Sequence, residues 1–268
     1  MQKDTRTGKK TRRSSLCREM AFKVPTCWKE LSEEQLRHII RLLWVNQDRP
    51  DGDFLVRSAA LTYFCNIEVV SRSDKGWMCR ERKTGRAFLL DPDLLPAMME
   101  QVEWVTQPEK ITVRIGRVGE YEAVDFELRD LMFGKYLMCE NYYQAFLLTK
   151  EEGKLVKMAR ILYRIPDDED SISLSAEILA GVFLWYSAAK QLLGEAFPHF
   201  FKPPEPGGGG VSMESQRDSV RAQIRLLTKG DVTKQDYIMN HTDTWAALGE
   251  LDALAMEAEE IKQKYGKK

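Results

Sequence analysis

The sequence has very few of the residues from which catalytic and metal sites are usually built. Its 268 residues include only 3 histidines, His38, His199 and His241, and no two of them stand at metal-ligand spacing. It contains no HExxH motif, no GxSxG elbow and no Walker loop. We therefore expect a protein that is not an enzyme and that uses no cofactor and no metal ion.

Paired cysteines are also absent. The chain has 5 cysteines, and none of them forms a CxxC motif. An odd, scattered set is typical of free thiols in a reducing compartment. Cys139 falls on the apolar face of a predicted helix, so we expect it to pack in the core rather than to react.

No apolar run is long enough to cross a membrane. The longest covers residues 178–189, where a spanning helix needs about twenty apolar residues, and Glu177 and Lys190 flank it. No apolar segment of the kind found in secretory signals follows the N-terminus. We expect a cytoplasmic protein that makes no membrane contact.

The chain lacks an excess of charge of one sign, except at the N-terminus. The formal net charge is −1, which gives the molecule no overall field to attract nucleic acid. Residues 1–20 are basic and show no hydrophobic periodicity, so we expect a disordered tail.

Apolar residues at helical spacing dominate the rest of the chain, and they predict an α+β fold that is predominantly helical. Ser32 and Gln35 form a predicted capping box, followed by an apolar face at Leu36, Ile39, Ile40, Leu43 and Trp44. A second helix is expected over residues 54–66, although its Thr-Tyr-Phe-Cys end also fits a strand.

Three further helices are predicted between residues 131 and 201, and they form the core. The first carries an apolar stripe at Met132, Tyr136, Cys139, Tyr143 and Phe146. The second buries Leu155, Met158, Ala159 and Leu162. The third is apolar on nearly all sides from Ile178 to Ala189, which indicates a central, fully buried helix.

A small antiparallel sheet is predicted to be inserted before these helices. Residues 67–72, 76–82 and 86–90 are short β-rich runs separated by hairpin-type turns. A short helix is expected after Pro92. Further strands are predicted in EWVTQ, ITVRIGRV and YEAVDFEL, which lie between residues 103 and 128.

The C-terminal part follows a stretch of proline and glycine. We therefore divide the chain into a basic tail (1–20), a helical core domain with the β insertion at about 67–128 (21–201), a linker (202–212) and a helical appendage (213–268). The last predicted helix is apolar along one face, so it either folds back on the core or meets a partner. Its candidate partner-binding residues are Trp245, Leu248, Leu251, Leu254, Ile261 and Tyr265.

The order of several segments resembles proteins from the tail-gene region of phages and prophages. These segments are WKELSEEQL, DLMFGKYLMCENYYQAF followed by KLVKMARILYR, a hydrophobic helix ending in FPHFF, and the C-terminal helices. Such proteins are similar to tail assembly chaperones. The resemblance implies an interaction protein in the bacterial host cell whose partners are tape-measure or tube subunits, and it leaves a homo-oligomer open. It carries over no functional residue.

The alternative is a protein associated with nucleic acid. Its candidate contacts are Lys9, Lys10, Arg12 and Arg13 in the tail and Arg80, Arg82 and Arg86 in a hairpin. Trp77 and Phe88 alternate with these hairpin cations and would supply rings for base stacking. The same alternation also fits a hairpin that buries its aromatic residues and exposes its charges.

Overall fold

The described residues form two compact units that meet in sequence at Pro108 and Glu109. A computed structural model describes residues 24–202 and 213–265, with residues 213–217 described by their backbone only. These residues contain nine helices, a three-stranded antiparallel sheet and a two-stranded hairpin, and they are 61% helical. The predicted fold class, α+β and predominantly helical, is confirmed.

The first unit begins with two amphipathic helices, α1 (Glu33–Asn46) and α2 (Gly52–Phe64). The predicted capping box is present: the backbone N–H of Gln35 donates to the Ser32 hydroxyl at 3.2 Å, and the Gln35 side chain accepts from the Ser32 N–H at 2.9 Å. The end of α2 is helical, not a strand.

The predicted sheet follows α2. Strands β1 (Ile67–Ser73), β2 (Gly76–Glu81) and β3 (Ala87–Leu90) pair antiparallel in the order β1-β2-β3. One face packs into a core through Ile67, Cys79, Phe88 and Leu90. The short helix α3 (Leu95–Glu100) comes next, as expected.

The prediction of further strands between residues 103 and 128 is mostly wrong. Glu103–Thr106 form a 3-10 turn, in which the indole N–H of Trp104 donates to the Pro25 carbonyl at 3.1 Å. Only β4 (Arg117–Val118) and β5 (Tyr121–Glu122) pair, as a separate hairpin in the second unit. Ile111 and Ile115 are buried as strand residues would be, but in the described structure no strand pairs with residues 111–116.

Three core helices of the second unit match their predictions. They are α4 (Phe133–Thr149), α5 (Glu152–Leu162) and α6 (Ala176–Ala196). The four predicted core residues of α5 are fully buried, and so is Cys139 in α4. Met132 is an error in the predicted stripe: it precedes α4 and is 39% exposed. Among the described helices, none combines the length and apolar character that a membrane crossing requires.

The C-terminal helices of this unit are α7 (Met213–Thr228), α8 (Gln235–His241) and α9 (Thr244–Tyr265). The backbone N–H of Phe133 donates to the Thr242 carbonyl at 2.8 Å. The N–H and the hydroxyl of Thr244 both donate to the Leu131 carbonyl, at 2.9 and 2.7 Å. The first half of α9 therefore folds back onto the start of α4, which answers the question that the sequence left open.

The compact units divide the chain at a different place from the predicted boundaries. The predicted core domain, 21–201, spans parts of both units, and residues 213–265 lie in the second unit together with α4 to α6. Nearly all of the predicted tail and linker falls in residues 1–23 and 203–212, outside the described residues.

The close approach of α8 to α4 generates a test of this packing. A Cβ added to Gly134, the second residue of α4, would lie 2.6 Å from the Met239 carbonyl oxygen, so one backbone would have to move. We expect Gly134→Ala to lower the free energy of unfolding by about 1–3 kcal/mol in urea denaturation.

Gly153 provides the matched control, because it is the second residue of α5 and a Cβ there meets nothing within 4 Å. Gly153→Ala should leave stability unchanged or raise it by up to about 1 kcal/mol. Equal effects of the two substitutions would contradict the packing of α8 on α4.

Candidate functional site

A cleft of about 580 Å³ lies in the second unit, beside α4. We call it the α4 cleft. Its apolar lining comes from α4, α7, α8 and the segment after α6, and it includes Leu137, Met138, Val220, Met239, Phe200 and Phe201. Glu140, Asn141 and Gln144 supply the polar part of the α4 wall. A mostly apolar concavity with a few polar groups is the usual form of a binding site.

The α4 wall of the cleft continues beyond the cleft. Leu137, Asn141 and Gln144 recur at helical spacing on one face of α4, and Leu148 is the next residue of that face. Leu148 is 56% exposed. From Gly134 to Leu148 the face is about 21 Å long at the helical rise of about 1.5 Å per residue. The site is therefore an elongated stripe as well as a cavity.

Helix α7 forms the facing wall. Val220 and Gln223 line the cleft, and Ile224 and Leu227 are half-buried. At the rim, the Arg221 guanidinium lies 3.6 Å from the Asp218 carboxylate. These two rim charges therefore offset each other.

A hydrogen-bonded ion pair sits at the floor of the cleft. One oxygen of Glu140 accepts from the Lys190 ammonium at 2.5 Å and from the Gln144 amide at 2.8 Å. The other oxygen accepts from the Tyr186 hydroxyl at 3.3 Å. Both charged side chains are about a quarter exposed. This network joins α4 to α6 and leaves the cleft floor electrically neutral.

Two buried phenols adjoin the ion pair. Burial raises the pKa of Tyr136 and of Tyr186 well above the usual value, and the nearby Glu140 carboxylate raises both further. Both hydroxyls are therefore protonated at neutral pH, and that of Tyr186 serves as a hydrogen-bond donor. Burial likewise raises the pKa of the Cys139 thiol, which fits the packing role predicted for it.

The predicted partner-binding residues of α9 do not share one surface. Leu248 and Leu251 are buried inside the unit, and Leu254 is half-buried. Ile261 and Tyr265 are 60% and 68% exposed at the far end of the helix. Only these last two present open apolar surface to a partner.

Trp245, the remaining predicted residue, is held by the fold. Its indole N–H donates to the Glu127 carbonyl at 2.6 Å, and its ring packs edge-on against Phe197. The Arg129 guanidinium covers the ring, 3.7 Å from its centre. Trp245 therefore anchors α9 to the unit.

A second anchor lies at the middle of α9. The Asp252 carboxylate accepts from the backbone N–H groups of His199 and Phe200 at 2.8 and 2.9 Å. Glu259 accepts from the His199 ring at 3.0 Å and forms an ion pair with Lys202. These contacts fix Phe200 and its neighbour Phe201 at the edge of the cleft.

The hairpin residues of the nucleic-acid alternative are only partly arranged as expected. Arg80, Arg82 and Arg86 are exposed. Phe88, however, is buried in the core of the first unit, and Trp77 packs partly against that core. The Phe88 ring is therefore not available for stacking on a base, whereas the Trp77 ring is half-buried. Lys9, Lys10, Arg12 and Arg13 lie outside the described residues.

The α4 cleft was not predicted, because the prediction of α4 rests on the apolar stripe that the helix turns to the core. The signal was the second stripe on the same helix, Leu137, Asn141, Gln144 and Leu148, whose spacing of four, three and four is also helical. Because two of its four members, Asn141 and Gln144, are polar, this second stripe does not stand out as an apolar pattern.

Comparison with models of protein families, with curated proteins and with solved structures gives no match. Within the described ranges, no group of three or more His, Cys, Asp or Glu side chains is placed to hold a metal ion.

The ion pair at the cleft floor yields a stability prediction. Lys190→Met leaves the Glu140 carboxylate without its cation, so we expect the free energy of unfolding to fall by about 1–3 kcal/mol, less than for a fully buried pair. The double variant Lys190→Met, Glu140→Gln should lose at least about 0.5 kcal/mol less than the sum of the losses measured for the two single variants.

Arg117→Met, which breaks an exposed pair with Glu122, is the control, and it should lower the free energy of unfolding by at most about 1 kcal/mol. Strictly additive losses at 140 and 190 would show that the pair is not coupled.

The buried phenols predict a dependence on alkaline pH. In the unfolded chain a tyrosine ionises near pH 10, whereas the folded state holds Tyr136 and Tyr186 protonated. Their contribution to the free energy of unfolding is therefore complete below about pH 10, and it is lost as pH rises further. We expect Tyr186→Phe to flatten this loss by up to about 1.4 kcal/mol per pH unit in urea titrations between about pH 10 and 12. Tyr265→Phe, at an exposed position, should keep the wild-type slope. An unchanged slope in Tyr186→Phe would contradict the burial of its hydroxyl.

Proposed function

We propose that this chain is a non-enzymatic protein of phage or prophage tail morphogenesis, similar to tail assembly chaperones, and that it holds a helix of another tail protein in the α4 cleft. The observation that carries the proposal is the length of the stripe along α4, about 21 Å or four helical turns. A compact small molecule would fill the cavity and leave Leu148 uncovered. A helix laid along α4 would cover both.

The chemistry of the stripe defines the partner's face. Met138 and Leu148 offer apolar surface, at 42% and 56% exposure, while Asn141 and Gln144 lie between them and the buried Leu137 backs the cleft wall. Helix-in-groove recognition uses apolar anchors at positions i, i+3, i+4 and i+7 of the bound helix. Polar residues inside such a stripe fix the register of the pairing. The partner is therefore an amphipathic helix with one or two polar residues in its apolar face.

The electrostatics of the cleft also favour a protein partner. Glu140 is neutralised by Lys190, and Arg221 lies beside Asp218. Binding should therefore depend on apolar contact and respond weakly to salt, unlike the binding of nucleic acid.

The identity of the partner rests on the resemblance of the sequence to tail-region proteins. That resemblance points to the tape-measure protein or the tube subunits and to the cytoplasm of a bacterial host. Tape-measure proteins are long and helical, so they offer the kind of segment that the α4 stripe fits.

The proposal predicts the effect of a charge on the stripe. Leu148→Asp should weaken binding of the proposed partner, a tape-measure protein or a tube subunit, by about tenfold or more, because a half-exposed leucine buried on binding contributes about 1.5 kcal/mol and a carboxylate resists burial. Isothermal titration calorimetry measures the affinity.

Leu226→Asp is the matched control, because Leu226 is 53% exposed, close to the 56% of Leu148, and is not part of the cleft lining. It should bind the partner as the wild type does. The proposal fails if neither tail protein binds, or if the two variants are affected equally.

A further inference from the structure

The hairpin between β2 and β3 carries an unusual concentration of exposed positive charge. Arg80, Arg82, Lys83 and Arg86 all lie within seven positions and all are exposed. None of the four forms an ion pair with a carboxylate of the described residues. Other arginines of the same unit do: Arg37 lies 2.7 Å from Glu33, and Arg49 lies 3.2 Å from Asp51. The hairpin cations are thus placed for an external anion.

A stacked ring pair lies beside this hairpin. His38 of α1 stacks on Tyr63 of α2, with ring centres 4.0 Å apart and planes inclined by 19°. Both side chains are half-exposed. A pair of this kind offers a flat surface on which a further planar group can stack.

Backbone hydrogen bonds fix the hairpin next to the rings. The N–H of Arg82 donates to the Asn66 carbonyl at 2.9 Å, and the N–H of Asn66 donates to the Tyr63 carbonyl at 3.0 Å. Burial lowers the pKa of His38, and the nearby Arg41 and Arg82 lower it further, so both guanidinium groups lie within electrostatic reach of the ring. We call these seven residues the hairpin patch: His38, Arg41, Tyr63, Arg80, Arg82, Lys83 and Arg86.

The acidic neighbours of the patch are fewer than its cations. Glu34 acts on both His38 and Tyr63, and Glu68 lies opposite Arg80 in the sheet. Glu81 accepts a hydrogen bond from the Thr84 hydroxyl at 2.6 Å. These three carboxylates face the five cations of the patch, which therefore keeps a positive charge although the whole chain is slightly negative.

We propose that the hairpin patch binds single-stranded nucleic acid, with its guanidinium groups on the backbone phosphates and an unpaired base stacked on the His38–Tyr63 pair. Arginine suits phosphate because its planar fork donates two parallel hydrogen bonds. Aromatic stacking favours a single strand over a duplex, because only unpaired bases expose their faces. An acidic peptide would use the cations but not the rings.

This patch is separate from the α4 cleft, because it lies in the first unit and shares no residue with it. It also differs from the surface that the sequence suggested. The hairpin arginines remain, but Phe88 is buried, and the stacked ring pair is formed by His38 and Tyr63 on the helices.

The test is fluorescence anisotropy with the full-length chain and a labelled 20-mer of oligo-dT, repeated with oligo-U RNA and with a DNA duplex. The wild type should bind both single strands at low salt and weaken as salt rises. The triple variant Arg80→Gln, Arg82→Gln, Arg86→Gln should bind at least about tenfold more weakly. The slope of the logarithm of the binding constant against the logarithm of the salt concentration should fall in magnitude by about 2, because each of the three lost phosphate contacts removes about 0.7.

A second variant separates stacking from charge. His38→Ala combined with Tyr63→Leu should weaken binding by about fivefold or more, as expected for loss of one stacked base, and should leave the salt slope unchanged. Circular dichroism and urea denaturation confirm that each variant is folded.

Two controls that remove positive charge from other places complete the test. The triple variant Arg37→Gln, Arg49→Gln, Arg57→Gln removes the same charge from elsewhere in the unit and should keep at least a third of the wild-type affinity. The quadruple variant Lys9→Gln, Lys10→Gln, Arg12→Gln, Arg13→Gln should do the same. The proposal is overturned if the wild type does not bind single strands, if duplex binds equally well, or if either control loses as much affinity as the hairpin triple variant.

Discussion

The hydrogen bonds between residues 131–133 and 242–244 are the contact on which the second unit depends. The fully buried Thr244 places both its N–H and its hydroxyl on the Leu131 carbonyl, and Phe133 donates to Thr242. Buried polar groups require such partners, so the segment has little freedom to dock elsewhere. With these bonds in place, α8 lies over Gly134 and α7 faces α4. The α4 cleft exists because a distant part of the chain is fixed at this point.

Features that depend on neighbouring residues could be predicted from the sequence. The capping box of Ser32 and Gln35 is local hydrogen bonding, and α6 is apolar on nearly all sides because it is buried on nearly all sides. The strands predicted between residues 103 and 128 failed for the opposite reason. Ile111 and Ile115 have the alternation of a strand, but a strand also needs a partner, and sequence alternation does not supply one.

The candidate site could be predicted only in fragments. Leu248 and Leu251 have the spacing of an interaction face, and they do make an interaction, but within their own unit. Val220 and Leu137 line the same cleft although they are far apart in sequence, and the hydrophobic periodicity of either helix does not predict this. The basic hairpin was visible as a run of arginines, whereas its neighbouring rings come from helices whose placement depends on tertiary packing.

The central claim is that the α4 cleft holds a helix of a partner protein, and amide hydrogen exchange tests it most directly. Exchange would be measured by mass spectrometry for this chain alone and in the presence of the proposed partner, a phage tape-measure protein. The account predicts slower exchange on binding in residues 133–149 and 218–227, with residues 67–90 unchanged. Slower exchange confined to residues 67–90, or no change at either wall of the cleft, would contradict it.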